Sequence, residues 1–187
     1  MMLEATGVRS VVRDYRPQDF DRLWQIDQLC FPHGIAYTQM ELAGFLAKRK
    51  AITLVAEAPA LILTTDEESG RDDRIATGHS PIVGFVVALP ARGHIGHVVT
   101  LDIVPQVRRL GLASRLMNEC EQRLLAAGCK VAYLETAVDN EPAIKLYRKL
   151  GYEIVRTLPH YYSSQSLDAF QMTKRLQTQI KAPSQAP

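Results

Sequence analysis

HVVTLDIVPQVRRLGLA, residues 97–113, runs from an apolar, β-branched stretch into a single glycine preceded by two arginines. The first part reads as a strand over 97–104. Beyond Gly111, residues Ala113, Leu116, Met117, Cys120, Leu124 and Ala127 fall at helical spacing, and Gly128 is a natural stop. A helix that begins at a strand end presents free backbone N–H groups and a positive dipole end, and so binds phosphate without any charged side chain. Gly111 would let the backbone turn tightly and approach a ligand. Small Ala113 keeps the first turn open, the Ser114 hydroxyl can add a hydrogen bond, and Arg108 and Arg109 supply longer-range attraction. The same residues also suit a plain strand-to-helix connection with solvated arginines. Neither GxxxxGK(S/T) nor GxGxxG occurs, which excludes the commoner mononucleotide and dinucleotide loops.

Outward from this stretch the chain alternates short elements. SVVRDYR (10–16) predicts a first strand, and Pro17 opens a helix carrying Phe20, Leu23, Trp24, Ile26, Asp27 and Leu29. CFPHGIAYT (30–38) is a loop, 40–49 a second helix, and 52–58, 81–89 and 97–104 are strands. A turn over PARGHIG joins the last two. After the central helix come a strand at 131–137 and a short helix capped by Asn140, with Ala143, Ile144, Leu146, Tyr147 and Leu150 as its apolar face. Strands at 153–158 and 169–176 follow. The order β-α-α-β-β-β-α-β-α-β-β predicts an α/β fold: a mixed, mostly antiparallel seven-stranded sheet covered by helices. One domain over 1–187 is expected, with its core at about 9–176, a surface loop at 64–80 and a flexible tail at 177–187.

Composition narrows the function. The chain has 187 residues, is 47% hydrophobic and 22% charged, and carries 22 basic against 20 acidic residues. That is globular composition, and a net charge of +2 argues against a broad nucleic-acid surface. Cys30, Cys120 and Cys129 match no zinc or redox spacing and read as buried thiols. No run approaches the ~20 apolar residues of a membrane span, and the first residues lack the apolar stretch of a signal peptide. A cytoplasmic protein that touches neither membrane nor nucleic acid is expected. His94 and His97 lie three apart without an accompanying carboxylate, so no metal is expected.

The spacing Arg108-x-x-Gly111-x-Ala113 resembles the Gln/Arg-x-x-Gly-x-Gly/Ala pyrophosphate loop of the GNAT superfamily of acetyl-CoA-dependent N-acetyltransferases. LET followed by DNEPAIKLYRKLGY, within 134–152, resembles that family's later region, and 93–176 is similar to the N-terminal protein acetyltransferases, notably the archaeal and ribosomal-protein alanine types. The resemblance implies acetyl-CoA as donor, its pyrophosphate on the backbone of Arg108, Arg109, Leu110, Gly111, Leu112, Ala113 and Ser114. It implies that the fourth and fifth strands splay, that the pantetheine arm pairs with the backbone of Leu101, Ile103 and Val104, that Ile103 N–H faces the thioester oxygen, and that Asn140 contacts the arm.

Transfer of an acetyl group to an amine needs a base, an oxyanion donor and an acid for the thiolate. On pattern alone Glu135 is a solvent-facing residue of an alternating strand, His97 a hydrogen-bonded histidine at a strand start, and Tyr147 a core aromatic. The resemblance implies instead that Glu135 is the base, His97 its partner and Tyr147 the acid. It also implies that Phe31, Pro32 and Tyr37 in one loop, with Tyr161 and Tyr162 in another, wall the acceptor mouth. The acceptor is then a protein or peptide N-terminus; a small-molecule amine and a non-catalytic CoA-binding sensor are the alternatives, and a homodimer or partner subunit is left open. HGIAY and YYSSQSLDAF depart from the relatives' acceptor segments, so no first-residue preference carries over.

Overall fold

In the computed structural model, residues 10–31, 35–58, 82–162 and 166–177 are described. They form strands β1 (Val11–Asp14), β2 (Ile52–Glu57), β3 (Ile82–Ala91), β4 (Ile95–Ile103), β5 (Val131–Ala137), β6 (Glu153–Tyr162) and β7 (Leu167–Arg175). The helices are α1 (Phe20–Cys30), α2 (Gln39–Leu46), α3 (Leu112–Ala126) and α4 (Glu141–Lys149). Pro32, the 64–80 loop and the tail beyond Gln177 lie outside the described residues. The strands make one sheet in the order β1-β2-β3-β4-β5-β7-β6. Every pairing is antiparallel except β4 with β5, as expected when α3 is the crossover between them.

The core follows the apolar periodicities. Leu54, Phe85 and Val86 from the sheet and Leu116, Met117, Cys120 and Leu124 from α3 are fully buried, each large side chain contributing about 1.5–3 kcal/mol by leaving water. Leu23 and Ile26 do the same for α1, which packs across β3 and β4. Two glycines set how closely β4 is approached. A Cβ on Gly96 would stand 2.6 Å from Leu124 of α3, and one on Gly84 would stand 2.5 Å from Ile103 Cδ1 and 2.6 Å from Asp102 O. Thr38 and Glu41 form a reciprocal cap at the start of α2, with Glu41 N–H donating to Thr38 Oγ1 and Thr38 N–H to Glu41 Oε2. Asn140 caps α4 through its Oδ1, which accepts the N–H of Ala143 at 3.2 Å.

Several boundaries differ from the sequence expectation, most of all at the two hairpins. β3 and β4 run to Ala91 and from Ile95, so the turn between them is shorter; Gly93 and His94 both adopt positive φ there. The hairpin of β6 and β7 extends past Leu158 to a pair between Tyr162 and Leu167, which places Tyr161 and Tyr162 on a strand rather than in a loop. Pro159 does not stop that strand because β6 is the sheet's edge and its outer side needs no ladder bond.

Gly84→Val is expected to lower stability by about 1–3 kcal/mol in chemical denaturation, because the strand it presses on is backbone. Gly44→Ala, in α2 with nothing near its would-be Cβ, should raise stability by about 0.5–1 kcal/mol in the same assay. Asn140→Ala should remove about 1 kcal/mol of capping, a fall in Tm of roughly 2–4 °C for a chain of this size.

Candidate active site

β4 and β5 pair only from Ile95↔Val131 to His97↔Tyr133 and then part. The phase of the ladder on the other side of β4 fixes what the gap receives. Val104 N–H donates to Val83 O at 2.9 Å while Gly84 faces Ile103. In an antiparallel ladder that makes Gly84–Ile103 a pair without mutual hydrogen bonds, and the N–H of Ile103 turns away from β3, as does that of Leu101 two residues back. Both N–H groups therefore point toward β5 where no strand meets them. Val104 does not join them: its N–H goes to Val83, and its carbonyl accepts from Val107 at 3.0 Å. The expected pairing of the arm with Val104 is corrected on this ground, while Leu101 and Ile103 remain free to take it.

The gap is the upper part of a cleft of about 350 Å³ lined by β4, β5, the loop after α1 and the start of α4. Leu101, Glu135, Asn140, Tyr147, Phe31, Tyr37 and Tyr162 all line it. α3 begins beyond the residues that line this cleft, after the loop that leaves β4. Gly111 sits at φ 80° with nothing near its would-be Cβ, and Arg109 is left-handed at φ 66°. Arg115 N–H makes the first α3 bond, to Gly111 O, which leaves the amides of Leu112, Ala113 and Ser114 without helical partners. Leu110 and Arg109 are exposed beside them. Arg108 is not only a solvated charge: its Nε donates to the carbonyl of Ile103 at 3.0 Å, and Cys30 Sγ donates to the same oxygen at 3.3 Å.

The titratable centre lies at the fork. His97 Nε2 and Glu135 Oε2 are 2.8 Å apart, and the His97 ring stacks on Tyr133 with centroids 4.4 Å apart. Gln171 on β7, paired with Glu135 across the strands, donates Nε2 to Glu135 Oε1 at 3.0 Å. Burial would push the Glu135 carboxyl up, but the hydrogen bonds from His97 and Gln171 outweigh it and hold the carboxyl below the usual range. An ionised Glu135 only accepts, so Nε2 of His97 carries the proton of this bond. Tyr147 is 8% exposed, edge-on to Tyr152, and burial raises its phenol well above the ordinary value. It keeps its proton at neutral pH. His94 is engaged elsewhere, its Nδ1 on Gly128 O at 2.9 Å, and no group of three metal-ligating side chains occurs among the described residues.

Of the expected residues, Phe31, Tyr37, Leu101, Glu135, Asn140, Tyr147 and Tyr162 line the cleft, and His97 reaches it through Glu135. Ile103, residues 108–114 and Tyr161, which is 46% exposed, are not among its lining. Val104 is tied to Val83, and Pro32 lies outside the described residues. Gln171 and Tyr133 were not expected. Nothing in their local pattern marks them, and only the strand registers Glu135↔Gln171 and His97↔Tyr133 bring them to the site.

The profile of the acetyltransferase (GNAT) family matches residues 20–152. An N-alpha-acetyltransferase of Sulfurisphaera tokodaii is 31% identical over 166 residues, covering 88% of this chain and 92% of that one. Among solved structures, Ard1 from Thermoplasma volcanium superposes with a TM-score of 0.72 at 22% identity, over 90% of this chain and 98% of that one. Arabidopsis thaliana NAA60 in complex with acetyl-CoA gives 0.70 at 24% identity, over 90% and 99%. With that family profile spanning most of its length over a sheet that forks between β4 and β5, the chain belongs to the GNAT acetyltransferase family and is an acyltransferase.

Proposed function

We propose that the protein moves an acetyl group from acetyl-CoA to the α-amino group of a protein or peptide N-terminus. The observation that carries this reading is the fork itself. On one side stand unpaired backbone donors, Leu101 and Ile103 on β4 and the first amides of α3. On the other stands the ionised Glu135 with His97. The near full-length similarity to a protein named N-alpha-acetyltransferase supports the peptide acceptor, as do the aromatic walls Phe31, Tyr37 and Tyr162.

In this reading the amides of Leu112, Ala113 and Ser114 receive the pyrophosphate, the N–H of Leu101 and Ile103 receive the pantetheine arm and the thioester oxygen, and Asn140 and Tyr147 flank the arm. The neutral amine attacks the thioester carbon, and the C–N bond forms as the carbonyl becomes an oxyanion held by Ile103 N–H. Before this attack the Glu135–His97 pair, directly or through one water, takes the proton of the bound ammonium, and the adduct's own N–H proton is lost to solvent water as the C–N bond is formed. The C–S bond then breaks, and Tyr147 gives its phenolic proton to the leaving thiolate. No covalent enzyme intermediate is needed, because the amine attacks the thioester directly, and a modest base suffices because an α-amine with a pKa of about 8 is partly neutral at working pH.

Gly111→Asp should weaken acetyl-CoA binding by roughly tenfold or more in isothermal titration, since it adds a left-handed side chain and a negative charge where phosphate sits. Binding unchanged by that substitution would remove the loop from the donor site. Glu135→Gln should slow acetylation by roughly 10²-fold at mildly acidic pH and much less well above the amine's pKa of about 8, where the amine needs no base. A deficit equal at both ends of the pH range would exclude Glu135 as base. Peptides with varied first residues, tested beside polyamines, settle the acceptor; labelling confined to lysine side chains or polyamines would replace the peptide reading by the small-amine one.

A further inference from the structure

Helix α1 closes with three side chains on one face, Trp24, Asp27 and Gln28, spaced i, i+3 and i+4. All three reach one residue of the following loop. Asp27 Oδ2 accepts the N–H of Tyr37 at 2.8 Å, while Gln28 Nε2 and Trp24 Nε1 donate to the Tyr37 carbonyl at 2.8 and 3.3 Å. Gln28 Nε2 also donates to Asp27 Oδ2 at 3.0 Å. Both backbone groups of Tyr37 are therefore satisfied by side chains, in a stretch that belongs to no helix or strand. The grip aims the phenol. Its hydroxyl donates to Val99 O at 3.4 Å, where the register of β3 and β4 shifts, and its ring packs edge-on against Phe45 with centroids 5.2 Å apart. Held there, Tyr37 is a wall of the cleft.

Asp27 is an expensive choice for this task. Its side chain is fully buried, and its second oxygen, Oδ1, has no partner among the described residues. The charged and titratable groups around it do not compensate it. Glu41 on α2 repels it, and buried Asp102 on β4 lies within electrostatic reach. Tyr37 is itself a phenol whose proton burial secures. Among the described residues no cation bonds to Asp27. Burial accordingly pushes its carboxyl up to about 6, against the hydrogen bonds from Tyr37 and Gln28.

We propose that Asp27 is a positioning residue of the acceptor site: its ionised carboxylate fixes Tyr37, and acceptor binding weakens as Asp27 takes up a proton. The inference rests on the acetyl-transfer reading above. A carboxyl that titrates at about 6 when folded, against about 4 when unfolded, favours the fold most below the lower value and opposes it as pH rises through the higher one. At neutral pH the charge on Asp27 thus works against stability while holding the loop. A residue kept only for the fold would be expected to do the reverse.

The test compares wild type with Asp27→Asn, using the acceptor found in the panel and saturating acetyl-CoA. At about pH 8 the variant's acceptor KM should exceed wild type by about fivefold, the worth of one charge-assisted bond exchanged for a neutral one. That ratio should fall to about one near pH 5, where wild-type Asp27 is itself protonated. Taking a ratio cancels the titration of the amine. The variant's kcat, acetyl-CoA affinity and Tm at neutral pH should match or exceed wild type. A KM ratio that does not change with pH, or kcat and acetyl-CoA binding that fall together with KM, would overturn the proposal. A second readout needs no acceptor: the Tyr37 amide proton of the 15N-labelled wild type should shift with a midpoint near 6, and an amide that stays still overturns the proposal. If no amine is acetylated at all, the acetyl-transfer reading fails, and the amide titration still decides the role of Asp27.

Discussion

The parting of β4 from β5 after His97 is the constraint on which the rest of the site depends. A parallel pair continued to the end of both strands would satisfy the N–H groups of Leu101 and Ile103 and leave a closed sheet. Ended after three residue pairs, it leaves backbone donors facing a gap that a chain-like ligand can fill as a strand would. The parting is held from behind. Gly84 lets β3 lie close under Ile103, Val104 is tied to Val83, and Arg108 and Cys30 both bond the Ile103 carbonyl. Arg108 therefore belongs to the scaffold of β4 as well as to the loop before α3.

Three carboxyl groups near the cleft show how local environment produces different chemistry. Glu135 has two hydrogen-bond donors and stays ionised. Asp27 has an amide and a side-chain donor but also a bare oxygen, and titrates at about 6. Asp102 is as buried as either, takes only the Thr100 hydroxyl at 2.6 Å, and is held well above the ordinary range because that bond and nearby Arg108 offset little of its burial. Glu135 and Asp27 receive two donors each and are separated by depth and by the nearby charges, Arg156 lowering the one and Glu41 raising the other, while Asp102 combines full burial with a single donor.

The fold was legible from local pattern because each element carries its own period and its own stop. Apolar residues three and four apart, ended by Gly128, mark α3; Asn140 marks the start of α4; and both glycine and asparagine do there what their chemistry requires. The extension of β6 through Tyr162 was not legible, because Pro159 reads as a break until β6 is known to be an edge strand. The partners of Glu135 were equally hidden. Gln171 lies 36 residues away and reaches it only through the β5–β7 register. Likewise Trp24, Asp27 and Gln28 look like an ordinary amphipathic turn until the loop they grip is in place.

These differences follow one division. The donor half of the site is built from backbone: strand N–H groups, a helix N-terminus and glycines, whose positions a sequence betrays through turns and caps. The half proposed for the acceptor is built from side chains that meet across the fold, Glu135 with Gln171 and His97, and Tyr37 with α1. Backbone sites tolerate many side chains and so keep their motif, which is why the short Arg108–Ala113 spacing is informative. Side-chain sites are specified by contacts between distant segments, and each of those contacts can change singly without disturbing the donor's seat. The side chains proposed for the acceptor therefore lie in the part of the molecule in which sequence pattern is weakest, Tyr37 and its grip by α1 among them.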